Sequence, residues 1–244
     1  MTTDIDKYIL ITDDKNIIFD GKDEEIIILS NYLYNYFPTL ANCMSPKKKK
    51  YSKQILRKLN SSTNDNKIIV DIETDGKTKI IQISYNIIDK NNNIILKRNL
   101  FLNDGDNDID YYKKISIDYI KIYGIKPKKA LEILFNDLKQ CDCIIGHNIA
   151  YDFSKIIKYF EKYYLSEELT KIKNNIPEKK YCTMQRSRNI VKCKNKKGSI
   201  KSPKLSELCE YYEIDKDDSK CHDGLYDVEL TYKCYIKLCN QIKQ

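Results

Sequence analysis

Ile68-Ile69-Val70-Asp71-Ile72-Glu73-Thr74 runs an apolar, β-branched segment straight into two carboxylates spaced two residues apart. On a β-strand alternate side chains share a face, so Asp71 and Glu73 point one way while Val70 and Ile72 point into a core. Two like charges held side by side repel unless a cation lies between them. Two readings fit: a strand end whose acids reach solvent, or half of a metal site. The rest of the chain decides between them.

Downstream, Lys79 to Ile87 and Ile94 to Leu102 are two more strand-like runs, separated by short polar turns such as Lys90-Asn91-Asn92-Asn93. Three consecutive strands with short links predict an antiparallel meander. Residues 104 to 123 read as helical or irregular, and Pro127 to Gln140 as a helix with Leu131, Leu134, Phe135 and Leu138 on one side. Cys143-Ile144-Ile145 is a short buried strand ending at Gly146-His147-Asn148. A helix follows over Ala150 to Tyr164, with Asp152 in its first turns and Phe153, Ile156, Ile157 and Phe160 inward. Tyr181 to Met184 is a further candidate strand. Arg186 to Lys204 holds eight Lys or Arg and no acid, which predicts a strongly basic loop. Pro203 opens a helix through Tyr212, and Asp223 N-caps a last helix to about Ile242 with Leu225, Val228, Tyr232, Tyr235 and Cys239 as its apolar stripe.

Upstream, Tyr8 to Ile11 and Asn16 to Phe19 flank a polar turn and predict a hairpin; Glu24 to Phe37 predicts a helix ended by Pro38. Lys47-Lys48-Lys49-Lys50 with Lys53, Arg57 and Lys58 leads into a Ser/Thr/Asn/Asp segment, a basic linker that could contact phosphate or simply be solvated. The expected organisation is therefore a small N-terminal α+β extension (residues 1–44), a basic linker (45–66) and a main domain (67–244).

With 244 residues, 41% hydrophobic and 32% charged, the chain is long enough to bury a good core. Its formal net charge of +8 tilts towards a polyanionic partner. Nine cysteines without a repeated framework, and no long uncharged apolar run or leader pattern, predict a reducing intracellular setting, cytoplasmic or nuclear, with no secretion and no membrane. Cys141-x-Cys143 and Cys221-His222 lack any C-x-x-C pair to anchor zinc, so free thiols are expected.

The chain has 2 histidines, in Gly146-His147-Asn148-Ile149-Ala150-Tyr151-Asp152 and in His222-Asp223-Gly224-Leu225-Tyr226-Asp227. Each segment places an Asp early in a helix after a polar loop. Taken in order, Asp71-x-Glu73-Thr74, His147-Asn148-x-x-Tyr151-Asp152 and His222-x-x-x-x-Asp227 resemble the three motifs of the DEDDh family of 3'-to-5' exonucleases, which includes proofreading exonucleases. The resemblance spans residues 67 to 240, and Cys182-Thr183-Met184 and Lys204 to Cys209 resemble the family's linking segments. Tyr151 stands where the family often has Phe, and Gly224 where Ala is commoner.

The resemblance implies an α/β, RNase H-like fold: a mixed sheet, antiparallel meander plus parallel strands, flanked by helices. It implies that Asp71, Glu73, Asp152 and Asp227 hold two Mg2+ or Mn2+ ions, that His222 is the general base, and that Thr74 and Asn148 contact the terminal nucleotide. His147 is expected to be structural. The implied activity is metal-dependent release of nucleoside 5'-monophosphates from a single-stranded DNA 3' end, in repair or proofreading. The alternatives are RNA as substrate, or an idle nucleic-acid-binding module. Residues 1–66 could bind a polymerase or another protein, and the oligomeric state is open.

Overall fold

The computed structural model describes residues 10–11, 17–18, 65–76, 79–105, 117–218 and 223–242. The chain divides into two compact units, Met1–Thr63 and Asn64–Gln244. In the first, strand β1 (Leu10–Ile11) pairs antiparallel with β2 (Ile17–Ile18), Leu10 facing Ile18. This pairing agrees with the expected hairpin, whose remaining residues lie outside those described. The expected helix over 24–37 and the basic run lie outside the described residues.

The second unit is built on β3 (Lys67–Thr74), β4 (Ile80–Ile88) and β5 (Ile94–Phe101), the meander, joined by β6 (Cys143–Gly146) and β7 (Lys179–Cys182) in the order β5-β4-β3-β6-β7. The β3/β4 and β4/β5 pairs are antiparallel; β3/β6 and β6/β7 are parallel. Sheet and flanking helices together make the RNase H-like α/β architecture. β4 is buried at every position. Its Ile81, Ile83, Tyr85 and Ile87 face one side, while Gln82, Ser84 and Asn86 alternate onto the other.

Helices cover both faces. α1 (Ile117–Tyr123) is followed by α2 (Pro127–Leu138), which opens with Pro127, a residue suited to a first turn whose N–H groups have no helical partner. The Asp137 carboxylate of α2 accepts from Arg98 Nε at 3.0 Å and from the Tyr85 hydroxyl at 2.7 Å, so a buried charge pair fastens α2 to two strands. α3 (Ile149–Tyr163) buries Ile156, Tyr159 and Phe160. The opposite face receives α7 (Gly224–Ile242), whose Val228 and Tyr235 pack on Ile69, Ile88 and Ile145. The far side of α7 packs Leu230, Cys234 and Leu238 against Leu208 and Cys209 of α6 (Leu205–Tyr211). The long helix is therefore apolar on two sides, which a single expected stripe understated.

Three expectations about the region before α6 need correction. An additional helix, α4 (Ser166–Asn175), buries Ile172 alone, so no apolar stripe announced it. The strand expected at Tyr181 to Met184 is shifted to Lys179–Cys182, because pairing with β6 ends at Gly146 opposite Cys182. Thr183 and Met184 instead begin α5 (Thr183–Val191), which takes in the first part of the expected basic loop and stops at Lys192, where φ is 54°. α6 starts at Leu205 rather than Pro203, because the Glu207 carboxylate reaches back to accept from the Lys204 N–H at 2.7 Å.

Gly146 is the junction between β6 and α3. A Cβ there would stand 2.8 Å from Ile149 Cδ1 and 3.1 Å from the Val70 carbonyl oxygen. One of those neighbours is backbone and cannot swing aside. Gly146→Ala is expected to cost about 1–3 kcal/mol through overpacking, read as a drop of several degrees in melting temperature.

Candidate active site

β3 carries its acids beyond the point where one neighbour stops. Its parallel pairing with β6 ends at Ile69 opposite Ile145, while its pairing with β4 continues to Thr74. The strand edge past Ile69 is left open, and the chain leaves Gly146 to begin α3 there. Asn148 makes that entry in a left-handed conformation, φ 71° and ψ 38°, which asparagine tolerates better than most side chains. Its side chain is exposed.

The turn of α3 that follows presents Asp152, which is buried, to the open edge. Its carboxylate accepts from its own N–H and from the Ile72 N–H, an amide of the sheet. Burial nonetheless pushes this carboxyl up to about 7.

From the other direction comes α7. Asp223 caps it, accepting from the Leu225 N–H at 3.1 Å, and Asp227 lies in its first turn. The helix end seats on a row of polar groups, buried Gln82 and Ser84 of β4 and half-buried Asn99 of β5. Gln82 Nε2 donates to Asn99 Oδ1 (2.8 Å) and to Asp223 Oδ1 (3.2 Å), Ser84 Oγ donates to Asn99 Oδ1 (2.9 Å), and Gln82 Oε1 accepts from the Gly224 N–H (3.3 Å). A Cβ on Gly224 would meet Ser84 Oγ at 2.9 Å. The close seat on this polar row accounts for glycine where the resemblance leads one to expect alanine.

Asp71 faces Ser84 and Glu73 faces Gln82 across the β3/β4 pair, so both acids lie on the α7 side of the sheet. Carboxylate oxygens of Asp71, Glu73 and Asp227 all lie within 4.8 Å of one another. Asp71 Oδ2 is buried without a hydrogen-bond partner. Burial, then Asp152, Asp227, Glu73 and Asp223, holds the Asp71 carboxyl well above the usual carboxylate range. An unpartnered buried oxygen among crowded acids fits a cation, and donors that are all carboxylate oxygen fit a hard one such as Mg2+ or Mn2+.

Thr74 follows a register shift between Glu73 and Thr74, an irregularity of the kind that re-aims a side chain at a strand end. His222 lies outside the described residues. His147 is half-buried beside the site: one ring nitrogen meets Thr183 Oγ1 at 3.0 Å and the other meets the Pro203 carbonyl oxygen at 3.1 Å. Burial pulls its pKa down to about 4, so the ring is neutral near pH 7 and ties three segments together.

The structure thus gathers Asp71, Glu73 and Asp227 into one cluster, with Asp152 close enough to raise Asp71. Sequence reading had not anticipated the part of Asp223, which adds to the negative field, or of the polar row. Its signal was present in Gln82-Ile83-Ser84-Tyr85-Asn86, where polar residues alternate inside an otherwise apolar strand.

No protein-family model and no curated protein matches the chain. Solved structures do. E. coli exonuclease I in complex with a dT13 oligonucleotide has a TM-score of 0.58 at 15% identity, covering 74% of this chain and 42% of that one. The same enzyme with a dA16 oligonucleotide gives 0.54 at 16%, covering 73% and 41%. Its complex described as ExoI/SSB-Ct gives 0.55 at 15%, covering 73% and 42%. The chain spans less than half the length of these neighbours. At such identities the likeness is one of fold: the mixed sheet and helices around the acidic cluster are an architecture shared with a known exonuclease.

Proposed function

We propose that this protein is a metal-dependent 3'-to-5' exonuclease of the DEDDh kind, acting on DNA and releasing nucleoside 5'-monophosphates. The observation that carries the proposal is the Asp71, Glu73 and Asp227 cluster with its unpartnered buried Asp71 oxygen. The exonuclease fold and the oligonucleotides in the neighbours' complexes support it.

Asp71, Glu73, Asp152 and Asp227 would hold two Mg2+ or Mn2+ ions. When bound, such a pair neutralises phosphoryl charge and stabilises the entering and leaving oxygens. Asp71 stands among the other acids and would serve both ions. Asp152 stays fixed by the Ile72 amide, and Asp227 is carried in by the seated end of α7. His222, five residues before Asp227, would take the proton of the attacking water, a task that suits an imidazole of ordinary pKa near 6.5. Thr74 and the exposed Asn148 would meet the terminal nucleotide.

The direct test follows product release from single strands labelled at either end. Label at the 3' end is expected to leave first as mononucleotide, with the 5'-labelled strand shortening in a ladder. Mononucleotide released first from the 5' end, or cleavage in EDTA equal to that in Mg2+, would overturn the proposal. Running the matching RNA alongside decides between the two sugars, because a 2'-hydroxyl is what a protein uses to tell them apart.

No helix among the described residues is long and apolar enough to cross a membrane.

A further inference from the structure

The two partners of His147 lie at the two ends of one segment. Thr183 is the first residue of α5 and Pro203 stands just before α6, so residues 184–202 leave and return at a single imidazole. That imidazole immediately precedes Asn148 and lies five residues before Asp152. The base of the segment is thereby pinned to the loop that delivers an acid to the site.

The segment is also ordered along its length. Beyond α5, Lys194 pairs antiparallel with Ile200. The Lys201 N–H donates to the Cys193 carbonyl at 2.8 Å, and the Asn195 N–H to the Ser199 carbonyl at 2.9 Å. Asn195 Oδ1 accepts from the N–H groups of Lys197 (2.9 Å) and Ser199 (3.0 Å), and Gly198 turns the chain at φ +79°. At the base, Arg188 Nη2 donates to the Ile200 carbonyl at 3.0 Å. The backbone is a formed hairpin on a helix.

Its outward groups are cations. Lys192, Lys194, Lys196 and Lys197 are exposed, and none forms an ion pair among the described residues. Lys201, by contrast, is occupied by Glu207 at 2.6 Å. Four uncompensated ammonium groups on a preformed hairpin repel one another, and a polyanion relieves that repulsion while costing little in backbone ordering.

We propose that residues 184–202 form an arm that grips the phosphate backbone of the substrate strand, its lysines holding nucleotides upstream of the 3' end while His147 keeps arm and acidic cluster in fixed relation. The arm rests on the exonuclease reading for its substrate. It concerns binding, however, and can be tested without hydrolysis.

The experiment measures binding of the full chain, in EDTA, to a labelled thirty-nucleotide oligothymidylate over a series of salt concentrations. The variant is Lys194→Ala with Lys196→Ala and Lys197→Ala. A control, Lys121→Ala with Lys126→Ala and Lys128→Ala, removes the same charge from exposed lysines elsewhere. Three lost phosphate contacts are expected to flatten the slope of log affinity against log salt by about 2 and to weaken binding on the order of 10–100-fold near 0.1 M salt. The control should stay within a few-fold of the unaltered chain. An arm variant with unaltered slope and affinity, or a control that loses as much, overturns the arm. If the unaltered chain binds and the arm variant does not, but neither hydrolyses DNA in Mg2+, the arm stands and the nuclease reading falls.

Discussion

Asp71→Asn, assayed in saturating Mg2+, is expected to lose hydrolysis on the order of 10³-fold, about 4 kcal/mol of barrier, while melting higher than the unaltered chain when both are in EDTA at pH 8. The second half of that result is unusual for a change at a buried position, and it follows from the crowding. Burial and the neighbouring Asp152, Asp227, Glu73 and Asp223 raise Asp71 well above its ordinary range, and burial lifts Asp152 to about 7. Both shifts are upward in the folded chain. Between the unfolded carboxylate pKa near 3.9 and those raised values, the folded chain therefore binds more protons than the unfolded chain, and stability falls as pH rises through the window. As these carboxyls ionise, the metal-free site takes on their mutual repulsion. Removing one charge should restore on the order of 2 kcal/mol, roughly 5 °C in melting temperature. Adding Mg2+ should raise the unaltered chain's melting temperature more than the variant's. An Asp71→Asn chain that melts lower in EDTA at pH 8, or that keeps its Mg2+-dependent activity, removes Asp71 from the centre of the site.

The second large effect is expected at His222. In single turnovers with saturating Mg2+, the rate should rise through roughly pH 6–7 as an imidazole near its ordinary pKa loses its proton. His222→Ala should lower the plateau by about 10²–10⁴-fold and abolish the rise. The metal concentration matters to the interpretation. The Asp152 carboxyl, lifted to about 7 without a cation, must also lose its proton before it can hold one, so scarce Mg2+ adds a second rise in the same range. Saturating Mg2+ favours the ionised carboxylate and leaves the histidine limb alone. A pH profile unchanged in His222→Ala at saturating Mg2+ takes that residue out of proton transfer.

The meander, β6, α2, α3 and α7 were legible because each rests on a local signal: β-branched runs for the strands, apolar residues at helical spacing for the helices. The meeting of Asp71, Glu73 and Asp227 was legible through their motif spacing. What escaped depends on distant partners. The length of β7 is set by its register with β6, so its end and the start of α5 could not be placed from Tyr181 to Met184 alone. α4 has one buried residue and left no periodic trace. His147 could be read as structural, but its two partners, 36 and 56 residues away, belong to the tertiary fold. The polar row of Gln82, Ser84 and Asn99 showed its alternation, yet not that a helix end would rest on it.

Around the open edge of β3 beyond Ile69 the acids are positioned largely by main-chain geometry. Asp152 is placed by a main-chain amide, Asp71 and Glu73 by strand register, and α7 by an N–H seated on the sheet. Little in that arrangement depends on the identity of the apolar side chains around it. Such a centre tolerates wide drift in its surroundings so long as the backbone keeps its course. A chain built this way can keep its shape through extensive change in its sequence.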